Sequence, residues 1–169
     1  MHFFANSSDQ ELTGYIAGLA DSQLTGSTQY DAIHAYHLSR LHTVAANGYT
    51  GTWASGSLSI GQFIQADLGT VRRVKKVATQ GRASAYNSYV ASYKFAYSAD
   101  GLMYLFIAGC DGNDRVFSGN IDRDTVVENT LKTAVAARYV RVYPLVWQQH
   151  MSLRWEVYGC DIGKTHPQF

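Results

Sequence analysis

The chain has 169 residues, 46% hydrophobic and 16% charged, with a formal net charge of +1. A chain this apolar and weakly charged folds rather than staying disordered, and its length suits one domain with a sizeable core. Its one basic cluster, Arg72, Arg73, Lys75 and Lys76, reads as a solvated strand edge or turn, so the footprint of a nucleic-acid binder is missing; no apolar run approaches the about 20 residues that span a bilayer.

In chain order, MHFFANSSDQ lacks the charged and apolar regions of a signal peptide, and Asn6-Ser7-Ser8 is a glycosylation sequon that matters only in a secreted protein. Ser8 with Glu11 three residues on gives a capping-type start, and the spacing predicts a helix over 8–19, interrupted by Gly14. Residues 20–61 are rich in Gly, Ser, Thr, Tyr and His without a sustained period, the character of long ordered loops that carry binding surface. Strand signals follow: QFIQADLG, RVKKVAT, YVASYKFAYS, MYLFIAG, TVVENTL, ARYVRVYPLVW and SLRWEVYG are β-branched or aromatic, several with alternation. Glycines punctuate them, and SADG between two such runs predicts a hairpin. The pattern predicts an antiparallel β-sandwich or barrel.

Motifs for chemistry are scarce. No G-x-S-x-G announces a nucleophile, no G-x-G-x-x-G or G-x-x-x-x-G-K-[ST] cradles phosphate, and no H-E-x-x-H binds zinc. His34, His37 and His42 lack acidic or Cys partners at metal-ligand spacing and read as surface or hydrogen-bonded histidines. Asp111, Asn113, Asp114, Asn120, Asp122 and Asp124 offer oxygens to calcium, but they flank glycines and turn chemistry explains them; no cofactor is expected, with structural calcium the alternative. Cys110 and Cys160 read as two buried or half-buried free thiols, with a single disulfide the alternative. In the last strand, alternation puts Met151, Leu153, Trp155 and Val157 on a core face. Ser152, Arg154, Glu156 and Tyr158 share the other, where Arg154 and Glu156 are expected to form a structural ion-pair network; His150, just before the strand, is unassigned.

Taken together, SRLHT (39–43), GTWAS around Trp53, GQFIQADLG (61–69), ATQGR (78–82), YVASYKFAYSADG (89–101), RVFSGNIDRDTVVENTL (115–131) and AARYVRVYPLVWQQHMSLRWEVYGC (136–160) resemble the discoidin family, also called the coagulation factor V/VIII type C domain. The resemblance covers residues 20–160, leaving an N-terminal extension over 1–19 and a tail over 161–169 whose HPQF resembles an affinity-tag remnant or is native. It implies an all-β fold, an eight-stranded antiparallel jelly-roll β-sandwich with ligand-binding loops at one end, and a binding module rather than an enzyme. Arg154, Glu156, Asp67 and Arg138 would be scaffold charges, and Trp53 and Trp147 core packing near the loops.

By position, the resemblance places the loop tips at Tyr30, Asp31, Ile33, His34 and Tyr36; at Asn47, Gly48, Tyr49 and Thr50; and at Ser84, Ala85, Tyr86 and Asn87, with Arg40 and Arg82 as nearby cations. Members that insert into anionic membranes expose large apolar tips over a basic belt, whereas these tips are mostly Tyr, His, Asp and Asn, with Ile33 the sole sizeable aliphatic. Polar-tipped aromatics suit sugars, since a Tyr face covers a pyranose while carboxylate, amide and guanidinium groups fix its hydroxyls. A cell-surface glycan is therefore the expected partner, with a phospholipid headgroup or a matrix protein as alternatives; oligomer formation is compatible, and the expected location is extracellular or at the cell surface. The family's closing disulfide is expected to be absent, because Cys160 fits its second position but HFFANSSDQELTGYI supplies no first cysteine.

Overall fold

The computed structural model describes residues 12–160, so the sequon and the tail lie outside the described residues. Nine antiparallel strands are delimited there. Four carry most of the ladder: β4 (Ile64–Gln80), β5 (Tyr89–Ser98), β8 (Val127–Gln148) and β9 (Ser152–Cys160). Five are short: β1 (Thr13–Gly14), β2 (Leu24–Gly26), β3 (Trp53–Ala54), β6 (Leu105–Phe106) and β7 (Phe117–Ser118).

The runs QFIQADLG and RVKKVAT are one bent strand, β4, and TVVENTL and ARYVRVYPLVW are another, β8. The Gly69 signal marks a bend and not a chain reversal: its φ of +81° sits where the β4–β8 register shifts between Asp67 and Arg72, and pairing resumes beyond. The two bent strands thereby serve both layers of the sandwich. Near Ile64–Asp67, β4 pairs with β2 and with the later part of β8, which also pairs with β5. Near Lys76–Thr79, it pairs with the earlier part of β8 and with β9. Between the layers lie Trp53, Leu68, Tyr93, Phe95, Phe117, Leu153 and Trp155, all essentially without solvent contact. Burying such side chains stabilises by roughly 1.5–3 kcal/mol each. Tyr93 and Phe117 stack with centroids 5.4 Å apart. The SADG hairpin is formed, with Asp100 Oδ1 accepting from the Leu102 and Met103 amides.

Three expectations are corrected. The described part of the helix expected over 8–19 is instead β1 and a 3-10 turn at Ile16–Gly18. There the Ile16 and Ala17 amides donate to the Glu156 carboxylate rather than to helix carbonyls, at 2.5 and 2.9 Å. Strand pairing thus begins at Thr13, opposite Gly159. Trp147 is half-buried, whereas Trp53 is fully buried. Cys110 is exposed and Cys160 half-buried, both unpaired; Cys110 stands in a surface turn, which gives its side chain no core to join.

Candidate functional site

Antiparallel pairing gathers several strand ends at one pole. Gln80, ending β4, faces Arg154 near the start of β9. Tyr89, opening β5, faces Gln148 at the end of β8. Trp53 of β3 faces Leu153. The connecting loops therefore converge, and between them opens a cleft of about 370 Å³ lined by Tyr30, His34, Ala54, Arg82, Tyr86, Ser88, Gln149 and His150.

The first wall is built from Tyr30 and the 3-10 turn Ala32–His34. The Tyr30 amide donates to the Ala54 carbonyl at 2.8 Å, tying this loop to β3. Asp31 caps the turn, accepting from the Ile33 amide at 3.0 Å, and also accepts from His34 Nδ1 at 2.6 Å. The His34 hydrogen bond holds the Asp31 carboxyl below the ordinary aspartate range. It also fixes the His34 ring so that Nε2 is left for other partners. The Tyr30 ring meets the His34 and His150 rings edge-to-face, at 5.4 and 5.5 Å between centroids.

The opposite wall is the 81–88 loop. Arg82 lies over the Tyr86 ring, 4.8 Å from its centroid, and its Nε donates to Ser84 Oγ at 2.7 Å. Burial lowers the Arg82 pKa, opposed by the fields of Tyr86, Asp31 and Tyr30. Three contacts fix this loop: Arg82 N to Ser88 O at 2.9 Å, Ala83 N to Thr52 Oγ1 at 2.9 Å, and Arg123 Nη1 to Ser84 O at 2.6 Å. The floor is closed by the turn between β8 and β9. Gln149 there has φ of +56°, and His150 Nε2 donates to Ser55 O at 2.7 Å.

Beneath the loops, Arg154 donates from Nε to Gly81 O and from Nη1 to Thr43 O, both at 2.8 Å, and from Nη2 to Arg123 O at 2.9 Å. The expected ion pair between Arg154 and Glu156 is not formed. Both are buried, at 4% exposure, and each is held by backbone groups, Arg154 having in addition the Asp124 carboxylate 4.0 Å from its Nη2. Glu156 accepts from Ile16, Ala17 and Val157 amides. Asp67 and Arg138 form their own bidentate pair at 2.8 and 2.9 Å.

The structure brings together Tyr30, His34, Arg82 and Tyr86, with Ser84 behind Arg82 and Asp31 behind His34. Tyr30 and Tyr86 are 62% and 64% exposed, so they are not packed onto the sandwich. His34 is no exposed tip but buried at 5%, because Asp31 and Tyr30 hold it in the wall. Tyr36 is not a tip either. It packs on the core next to Gly26, where an added Cβ would lie 2.7 Å from Tyr36 Cε1. Thr50 is buried, its hydroxyl donating to Ile33 O at 2.7 Å and so joining the second loop to the first. Ile33, Asn47, Gly48, Tyr49, Ala85 and Asn87 are exposed at this pole but do not line the cleft. Arg40 is structural, donating to Leu19 O and pairing with Asp21. Sequence reasoning missed Ala54, Ser88 and Gln149 and left His150 unassigned; the one local signal for the last two is their position in the turn between paired strands.

Comparison with known proteins gives concordant matches. The F5/8 type C domain family matches residues 23–157. Lactadherin of Rattus norvegicus is 38% identical over 149 residues, spanning 84% of this chain and 34% of that protein. The chain thus spans about a third of that relative's length. Among solved structures, discoidin II of Dictyostelium discoideum superposes with a TM-score of 0.78 at 26% identity, covering 90% of this chain and 60% of that one. The family 32 carbohydrate-binding module of C. perfringens NanJ, solved in complex with galactose, superposes with a TM-score of 0.63 at 18% identity, covering 88% of this chain and 100% of that one, a likeness of fold alone.

Proposed function

The chain belongs to the F5/8 type C domain family, and from that premise we propose that it is a recognition module, acting at or outside the cell surface, that takes a glycan in the loop-end cleft. The observation that carries this reading is the cleft itself: two exposed tyrosines line a space of about 370 Å³ together with a guanidinium, two imidazoles and an amide. Tyrosine faces cover the apolar side of a sugar ring while the polar groups fix its hydroxyls. Single-site affinity in so open a cleft is expected to be weak and to be raised by multivalent display. A glycan array with the wild type, Tyr86→Ala and His34→Ala tests the reading. Signal on defined glycans that is lost in both variants supports it; no signal, or signal unchanged in the variants, sinks it.

A second reading is peripheral binding to anionic phospholipid. It is favoured by the exposed Ile33, Val44 and Tyr49 on the first two loops. Sedimentation with phosphatidylserine-containing and phosphatidylcholine vesicles separates the two: enrichment on the former that falls in Ile33→Ser supports the lipid reading, and equal sedimentation removes it.

A further inference from the structure

The cleft holds a cation and no anion. None of its eight lining residues is an acid. The carboxylate whose field reaches Arg82 is that of Asp31, and this group stands outside the lining, already engaged by His34 Nδ1 and the Ile33 amide. Arg82 spends its Nε on Ser84 Oγ. Among the described residues no acceptor is placed on its two Nη groups. A guanidinium partly withdrawn from water, lying over an aromatic ring and reached by the Asp31 field without a direct carboxylate contact, is a cation whose two Nη groups can take a ligand anion.

Neutral and acidic sugars make different demands on such a site. A neutral pyranose offers hydroxyls that donate as well as accept, and a site that selects it supplies acceptors as well as donors. Here the lining offers the acceptor oxygens of Tyr30, Tyr86, Ser88 and Gln149 and, with Nδ1 donating to Asp31, the acceptor Nε2 of a neutral His34, none of them an anion. A ligand carboxylate would supply the missing anion, matching the fork of the two Nη groups in a bidentate, charge-assisted pair.

We infer that the cleft selects a saccharide bearing a carboxylate, a hexuronate or a sialic-acid-type sugar, and that Arg82, backed by Tyr86, determines this preference. The inference rests on the glycan reading and goes beyond it by fixing the charge class of the sugar and the residue that reads it. The chain's near-neutral overall charge makes the preference a property of the cleft and not of a general attraction to anions.

Titration calorimetry on the full chain, using sugars that differ only at the carboxyl position, tests it. The pairs are methyl galacturonide against methyl galactoside, methyl glucuronide against methyl glucoside, and the methyl glycoside of N-acetylneuraminic acid against its methyl ester. The expected result is that at least one acid binds about tenfold or more tightly than its neutral counterpart. Arg82→Gln should erase that ratio, and Arg82→Lys, which keeps the charge but loses the fork, should leave an intermediate one. Lys132→Gln, an exposed cation outside the cleft, should leave it unchanged. Circular dichroism confirms that the variants stay folded.

Equal affinity within every pair, or preference for the neutral member, overturns the charge-class inference while the glycan reading stands. An acid preference that survives in Arg82→Gln overturns the assignment to Arg82. Absence of binding to every sugar here and on the array overturns both readings, as does binding confined to phosphatidylserine vesicles.

Discussion

At the loop end of the sandwich, Arg154 donates to carbonyls of Thr43, Gly81 and Arg123; two residues further along β9, Glu156 accepts from amides of Ile16 and Ala17, where the first described segment docks. Both side chains are buried and point to the same face of one strand, yet they secure different regions. Arg154 joins three segments, one of them the start of the 81–88 loop that walls the cleft. Glu156 fastens a short edge segment that also has β1 pairing and the buried Ile16 to hold it. The contrast shows how a strand with apolar residues on its core face still carries buried charge on the other: each ion is met by several backbone dipoles, and Arg154 also has the exposed Asp124 carboxylate 4.0 Å from its Nη2.

The sharpest way to break this comparison is to remove each charge in turn. Arg154→Ala leaves three carbonyls without their donor and is expected to destabilise by about 3–5 kcal/mol. Glu156→Gln keeps the shape but turns one acceptor into a donor facing an amide, an expected loss of about 1–3 kcal/mol. Urea denaturation measures both. The regions separate if Arg154→Ala also abolishes ligand binding at temperatures where it is still folded, while Glu156→Gln binds as the wild type does. Loss of binding in Glu156→Gln would show that the two regions are coupled.

The fold was legible because β-branched alternation marks each long strand, but the strand count was not, since Gly69 looks like a turn in sequence and acts as a bend when a partner strand bends beside it. Of the residues that line the cleft, Tyr30, His34, Arg82 and Tyr86 were legible from the family pattern. Gln149 and His150 were not, because they reach the cleft only through the pairing of Gln148 with Tyr89 and the contact to Ser55. Tyr36 was misplaced because its neighbour is Gly26, ten positions earlier, a close approach that no local period encodes. Arg154 and Glu156 have the spacing of a pair, and spacing carries no information about backbone carbonyls and amides arriving from residues more than thirty positions away.

A smaller effect sharpens the comparison within the loop end. Thr50 links the second loop, which does not line the cleft, to the first, which does, through its hydroxyl on Ile33 O and its amide on the same carbonyl. Thr50→Val keeps shape and the amide bond but loses the hydroxyl bond, an expected cost of about 1 kcal/mol. If the second loop serves only to brace the first, thermal melting registers that loss and ligand affinity falls modestly. An affinity loss as large as that of Tyr86→Ala would place the second loop in the site itself.

The smallest effect is the pH dependence of stability, where Glu156 and Asp67 have opposite signs. Burial, outweighing the amide hydrogen bonds, raises the Glu156 pKa above its ordinary value. The folded state therefore binds this proton more readily than the unfolded one, and the contribution is full below the ordinary glutamate pKa and is lost as pH rises through the raised one. The Arg138 guanidinium lowers the Asp67 pKa. That contribution is full above the ordinary aspartate pKa and is lost as pH falls through the lowered one. Urea midpoints measured from acid to neutral pH should accordingly converge on those of wild type at opposite ends. The deficit of Asp67→Asn should shrink on acidification, and that of Glu156→Gln should shrink as pH rises past the carboxylate range. If the Glu156→Gln deficit instead grows with pH, the three amide hydrogen bonds outweigh burial at this carboxylate, and the ionised form is the one the fold is built around.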